Sequence, residues 1–185
     1  MQGVVLSMAN NKKIYIVLTH TGTVLSRIIK SYTKKEFSHV SISLDKDLNE
    51  MYSFGRLNPY NPINAGFVHE GINIGTFKRF KNTKAEVYSL DVTIKEYKRI
   101  TSLIEKFKKK KKKYKFNIIG LIGVAFHKKI KKKDSFYCAE FVKYVLEKGE
   151  VDIKLPELIK PMDFKNIEKL NFEYHGKLKN YRWTY

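Results

Sequence analysis

Residues 37–44 read FSHVSISL, and the alternation in this stretch decides what the rest of the chain must supply. Phe37, His39, Ser41 and Ser43 fall on one side of an extended strand, and Val40, Ile42 and Leu44 fall on the other. This is the pattern of a half-buried strand, with an apolar side for a core and a polar side that carries an imidazole. The Asp45-Lys46-Asp47 cluster reads as a turn, and NEMYSFGR (49–56) returns as the second strand of a hairpin.

Working outward, KIYIVLTH (13–20) is rich in β-branched residues and predicts a buried strand. In TGTVLSRIIKSYTK (21–34), Val24, Leu25, Ile28 and Ile29 stand at helical spacing and predict a short amphipathic helix. Downstream of the hairpin, residues 55–76 include LNPYNPINAGFVHEGINIGT, whose Gly, Asn and Pro content predicts a long loop suited to lining a groove. AEVYSLDV (85–92) is a further strand. Thr93 and Glu96 form a capping box that opens a helix, with Ile94, Tyr97, Ile100, Ile104 and Phe107 as its apolar stripe. That helix runs into six lysines, 108–113, and a second helix is expected through 116–126. The cysteine-bearing helix follows and ends at Gly149. After it come an extended stretch with Pro156 and Pro161, a short helix at DFKNIEKL and a last strand near FEYHGKL. The order predicts one α+β domain over 1–185, an antiparallel sheet packed against helices, with a lysine-rich helical insertion near 106–133.

Composition narrows the chemistry. Lys and Arg number 37 against 18 Asp and Glu, a net charge of +19. Such a balance suits an anionic partner, although most of the excess is Lys, which also serves as plain solvated surface. One cysteine excludes an internal disulfide and a multi-cysteine zinc site, and a reducing compartment is expected. The apolar GVVLSMA (3–9) has no basic residue before it and is short for a secretory core, so no signal peptide is read there. FNIIGLIGVAF (116–126) is too short to span a bilayer.

The single cysteine lies in KDSFYCAEFVKYVL (133–146). With Ser135 as N-cap, Cys138 falls in the first turn of a helix, where backbone N–H groups and the helix dipole favour a thiolate. The plainer reading is a core residue, because Cys138, Phe141, Val142 and Val145 share one helical face. A nucleophile needs a base. His20, His69, His127 and His175 read as ordinary strand or surface residues, whereas His39 sits on a polar strand face. An imidazole held on a strand and facing a cysteine at a helix start is a thiol-hydrolase geometry. A third group must fix its tautomer. A simple hairpin register offers Glu50 and Tyr52, of which the carboxylate is the stronger. A one-residue slip would favour Ser53, and Glu70 is a further candidate.

These residues resemble a family. FSHVSISL and NEMYSFGR, followed later by FYCAEFVKYVL, are similar to the circularly permuted papain-like cysteine hydrolases of the NlpC-type superfamily. The permuted branch of that superfamily includes lecithin retinol acyltransferase-like enzymes. The histidine strand precedes the cysteine helix here, which is the permuted order. The resemblance covers roughly residues 13–175, and its specific part is Ser38-His39-Val40 with Tyr137-Cys138-x-x-Phe141-Val142. It implies a permuted papain-like fold, Cys138 as nucleophile, His39 as base and a polar third residue on the next strand. Many relatives carry a Glu near the end of that strand, whereas this chain reads Met51-Tyr52-Ser53 with Glu50 slightly early.

The resulting expectation is a thiol hydrolase or acyltransferase acting on an amide or ester bond. Cys138, His39 and Glu50 are its catalytic residues; Tyr52, Ser53, Glu70 and Tyr137 are expected to line the substrate site. No metal or organic cofactor is needed. A peptide, an amide and a lipid ester are all candidate substrates. The competing expectation is a non-catalytic basic adaptor acting through 106–133, which carries thirteen lysines and no acidic residue. Its partner would be an anionic membrane; nucleic acid is less favoured because no recognised nucleic-acid motif is present. Both expectations fit a cytoplasmic protein, peripheral at a membrane.

Overall fold

The computed structural model describes residues 11–22 and 36–182. The helix expected at 21–34, beyond the non-helical Thr21 and Gly22, and the apolar stretch 3–9 lie outside the described residues.

The chain builds a mixed α/β molecule around an eight-stranded sheet. Its strands are β1 (Lys12–His20), β2 (His39–Ser43), β3 (Met51–Asn58), β4 (Asn61–Glu70), β5 (Lys84–Val92), β6 (Lys115–Phe116), β7 (Ser135–Phe136) and β8 (Leu170–Lys177). Across the sheet they run β7-β6-β4-β3-β2-β1-β5-β8. Every pairing is antiparallel except the short β6–β7 contact. Its helices are α1 (Gly75–Arg79), α2 (Ile94–Lys109), α3 (Ile118–Ala125) and α4 (Cys138–Lys148), with 3₁₀ turns at Pro161–Asn166 and Leu178–Asn180.

Two apolar clusters occupy the two faces of the sheet. Ile14, Ile16 and Leu18 of β1 join the cluster that holds α2 and α4, while Tyr15 and Val17 join a smaller one with Leu48, Phe77 and Tyr181. Residues 14–18 of β1 are therefore buried on both faces, which is why that run is apolar without a gap. The larger cluster is rich in aromatic rings. Phe107 of α2 lies 5.1 Å from Phe141 of α4, and Phe54 of β3 lies 5.3 Å from Phe141, between ring centroids. These contacts fix both helices on the sheet.

The Thr93–Glu96 capping box forms as expected: Glu96 N–H donates to Thr93 Oγ1 and Thr93 N–H to the Glu96 carboxylate. Ile100, Ile104 and Phe107 are buried, but Ile94 is 39% exposed because it sits in the first turn, outside the packed stripe. At the other end of α4, a Cβ on Gly149 would stand 2.6 Å from Ile100 Cγ1, so the close approach of α4 to α2 requires glycine there.

Two expectations need correction. The stretch 55–76 is not a loop. It holds β4, joined to β3 by a two-residue turn at Pro59-Tyr60 and paired from Asn58↔Asn61 to Met51↔Glu70. Pairing on both sides of β4 overrides the weak strand propensity of its Asn, Pro and Gly. The lysine-rich helical insertion expected near 106–133 is helical only in part. It comprises the end of α2, a turn, β6, α3 and a connection to β7. Among the described residues, no helix is long and apolar enough to cross a membrane.

Candidate active site

Cys138 is the first residue of α4, and Tyr137 rather than Ser135 is its N-cap, with extended φ and ψ of −99° and 171°. Ser135 is taken up by β7, where it pairs with Lys115. The shift brings the thiol to the very end of the helix. The first intrahelical bond runs from Phe141 N–H to Tyr137 C=O, so the N–H groups of Cys138, Ala139 and Glu140 precede it. Glu140 braces this end by accepting from Tyr137 N–H at 3.2 Å and from Asn117 Nδ2 at 3.3 Å.

His39 opens β2. The β2–β3 ladder is short, with Ile42↔Tyr52 and Ser43↔Met51 as its register, and Ser53 Oγ donates to Val40 C=O farther along. The ring lies at this opened end of the ladder. Gly55 of β3 stands beside it; a Cβ there would be 3.4 Å from both His39 Cε1 and Glu70 Oε1. The glycine therefore leaves room for the ring and carboxylate to meet.

That carboxylate comes from the end of β4. His39 Nε2 lies 3.1 Å from each oxygen of Glu70, and Ser41 Oγ donates to Glu70 Oε2 at 2.5 Å. Cys138 also lies close enough to the ring to favour its charged form. Glu70 and Ser41 both meet the ring at Nε2. Burial works against the charged ring, but Glu70 and Cys138 outweigh it and push the His39 pKa up to about 10. The ring so placed keeps its proton at neutral pH. It is a proton-bearing partner of the sulfur rather than an empty base.

The pair is well covered. Cys138 is 5% exposed, and the His39 side chain is 19% exposed, so solvent reaches the site at the ring rather than the sulfur. Cys138 also belongs to the large core cluster, as its helical face predicted.

The structure brings Cys138, His39 and Glu70 together and engages the other candidates in other contacts. Glu50 is exposed and accepts a hydrogen bond from Tyr52 OH. The register Ile42↔Tyr52 puts it opposite Leu44, at the far end of β2 from His39. Tyr52 is buried and stacked on Phe67 and His69, on the core face. Ser53 is buried and its hydroxyl is spent on Val40 C=O. Tyr137 is 2% exposed and donates its OH to Ile159 C=O at 2.9 Å, which anchors the segment after α4 instead of lining a groove. Ser41 and Gly55 are site residues that sequence reasoning passed over. The signal for Ser41 was present, since it shares the strand face of His39.

Of the remaining histidines, His20 meets Ser38 Oγ, His69 bonds Asn49 C=O and His175 pairs with Glu86. Among the described residues, no group of three or more His, Cys, Asp or Glu side chains is placed to hold a metal ion. No family model, no curated protein and no solved structure matches the chain.

Proposed function

We propose that the chain is a thiol hydrolase or acyltransferase with a permuted papain-like arrangement, acting on an amide or ester through Cys138, His39 and Glu70. What carries the reading is the His39 ring, held between a buried carboxylate at Nε2 and a cysteine at a helix start. A structural core cysteine needs neither partner.

In this mechanism the reactive form sets a Cys138 thiolate beside the His39 imidazolium. The sulfur attacks the carbonyl carbon, and the carbonyl electron pair moves to oxygen. The N–H groups of Cys138 and Ala139, free of intrahelical duty, stabilise that oxyanion together with the positive end of the α4 dipole. As the tetrahedral intermediate collapses, the C–N or C–O bond breaks and His39 gives its proton to the leaving group. The now neutral ring takes a proton from water, or from an acceptor alcohol or amine, which attacks the thioester and releases the acyl group. Glu70 acts through His39: it fixes the ring's orientation and supports its charge, and Ser41 holds Glu70.

The test uses small reagents, because the sulfur is nearly covered. Iodoacetamide and a short activated acyl ester are reacted with the folded chain, and adducts are located by mass spectrometry. Both are expected on Cys138, with turnover of the ester. Removing the imidazole in His39→Ala should slow acylation by roughly 10²–10⁴-fold, the usual contribution of a positioned acid or base. Acylation at the rate of an ordinary thiol, indifferent to His39, would leave Cys138 as core.

A further inference from the structure

Helix α3 carries its apolar residues on the wrong side for a core. Ile118, Ile119, Ile122 and the following Phe126 are 48, 56, 53 and 66% exposed. At about 100° per residue these four positions fall within roughly one hundred degrees of arc, so they form one outward stripe. The inward side is made of Gly120, Gly123 and Val124. Both glycines are needed for close approach. A Cβ on Gly120 would strike the Asn117 amide, and one on Gly123 would stand 2.4 Å from Lys128 C=O. The chain after the helix is thereby folded back along it. Lys128 N–H donates to Gly123 C=O at 2.8 Å, and Asn117 Nδ2 donates to Ile130 C=O at 3.0 Å.

This fold-back sets charge beside the stripe. Lys128 and Lys131–Lys133 of this returning segment are exposed, Lys115 precedes the helix, and no acidic residue occurs between 106 and 133. An exposed apolar ridge bordered by lysines, with the sequence of an interfacial rather than a spanning segment, matches one surface chemistry. The isoleucines enter the acyl boundary while the lysines stay at the level of anionic headgroups. An eight-residue helix is about 12 Å long, enough to lie in an interface and far too short to cross it. Nucleic acid would draw on the lysines but has no use for exposed isoleucines.

We propose that α3 and its lysine flank form a docking surface for an anionic phospholipid bilayer. The surface is tied to the start of α4, because Asn117, the α3 N-cap, also donates to Glu140, which accepts from Tyr137 N–H.

The experiment is co-sedimentation of the full chain, carried as Cys138→Ala so that binding stands apart from any chemistry. The probes are vesicles of phosphatidylcholine alone and of phosphatidylcholine with phosphatidylserine. Binding to the anionic vesicles is expected to be roughly tenfold or more tighter, and to weaken as salt rises. The exposed double variant Ile119→Asp/Ile122→Asp should lose most of it. In the otherwise native chain the same pair should leave soluble-reagent labelling of Cys138 unchanged, which also shows that it folds. Lys131→Glu/Lys132→Glu should erase the preference for anionic lipid. Equal binding to both vesicles, undiminished binding by the aspartate variant, or capture by duplex DNA in place of vesicles would overturn the proposal.

Discussion

His39 faces Glu70 across 3.1 Å, and farther along the same sheet His175 faces Glu86 across the same 3.1 Å. The two pairs differ in what surrounds them. The Glu86 carboxylate is shared among three partners: Lys165 at 2.7 Å, Tyr88 OH at 2.7 Å and His175. Burial tends to raise its pKa, but those three hydrogen bonds prevail and hold it below the usual carboxylate range. Its histidine lies on an edge strand with a side chain 53% exposed. Glu70, by contrast, receives Ser41 and His39, and the ring is 19% exposed with a thiol as its second partner. A histidine–carboxylate pair is therefore not a site by itself. Glu86 is answered by a lysine and closes a structural network, whereas Glu70 leaves its histidine charged toward a sulfur.

The largest expected difference between the pairs is in reactivity. Glu70→Gln keeps the shape of the carboxylate and removes its charge, so Cys138 acylation should slow by roughly 10²-fold or more. Glu86→Gln should leave it within about twofold. Measuring the acylation rate constant of each variant with one small ester decides the matter, and equal losses would mean the two pairs play the same structural part.

A second, smaller contrast is in pH dependence. His39 binds a proton more tightly in the folded chain than its ordinary value of 6.5 allows, up to about 10. Its contribution to stability is therefore complete below about pH 6.5 and is lost as pH rises toward 10. Glu86 is displaced the other way. Its contribution is present above the ordinary 4.5 and is lost as pH falls through its lowered value. Melting temperatures measured across this range should show that Glu70→Gln flattens the alkaline decline and Glu86→Gln the acidic one. Nuclear magnetic resonance of the His39 Cε1–H should follow the same rule, with its titration moving down from about 10 in Glu70→Gln and staying in place in Glu86→Gln. A His39 titration near 6.5 in the native chain would remove the distinction between the pairs.

The parts of this site were unequally legible in the sequence. The alternation of FSHVSISL placed His39 on the polar face of β2, and the cap signal at Ser135 placed Cys138 in the first turn of a helix. Both signals are local. Glu70 was different, because its role depends on β4 lying two strands from His39, and β4 is written in Asn, Pro and Gly. Those residues read as loop until tertiary pairing makes them strand. Glu50 was the nearer carboxylate in sequence, but strand parity decides faces. The pairing Ile42↔Tyr52 puts Tyr52 and Phe54 on the helix-covered face and Ser53 and Gly55 on the His39 side. The α4 start was misplaced for a related reason. Ser135 is a good cap by type, but the parallel β6–β7 contact claims it, and no local pattern announces a two-residue strand.

The smallest effect separates the hydroxyls that serve the two carboxylates. Ser41 is fully buried and donates to Glu70 at 2.5 Å; Tyr88 is nearly buried and donates to Glu86 at 2.7 Å. Removing a donor costs most where the carboxylate has few others. Glu86 keeps Lys165 and His175 after Tyr88→Phe, so about 0.5–1.5 kcal/mol is expected. Glu70 keeps only the His39 ring among the partners described here, so Ser41→Ala should cost about 1.5–3 kcal/mol, the range for a hydrogen bond to a charged group. Chemical denaturation of both variants at neutral pH gives the two numbers. The rate effect should run in the same direction and be only several-fold, because Ser41 acts on His39 through Glu70. If Ser41→Ala costs no more than Tyr88→Phe, then Glu70 is held by its strand alone and the serine is a bystander.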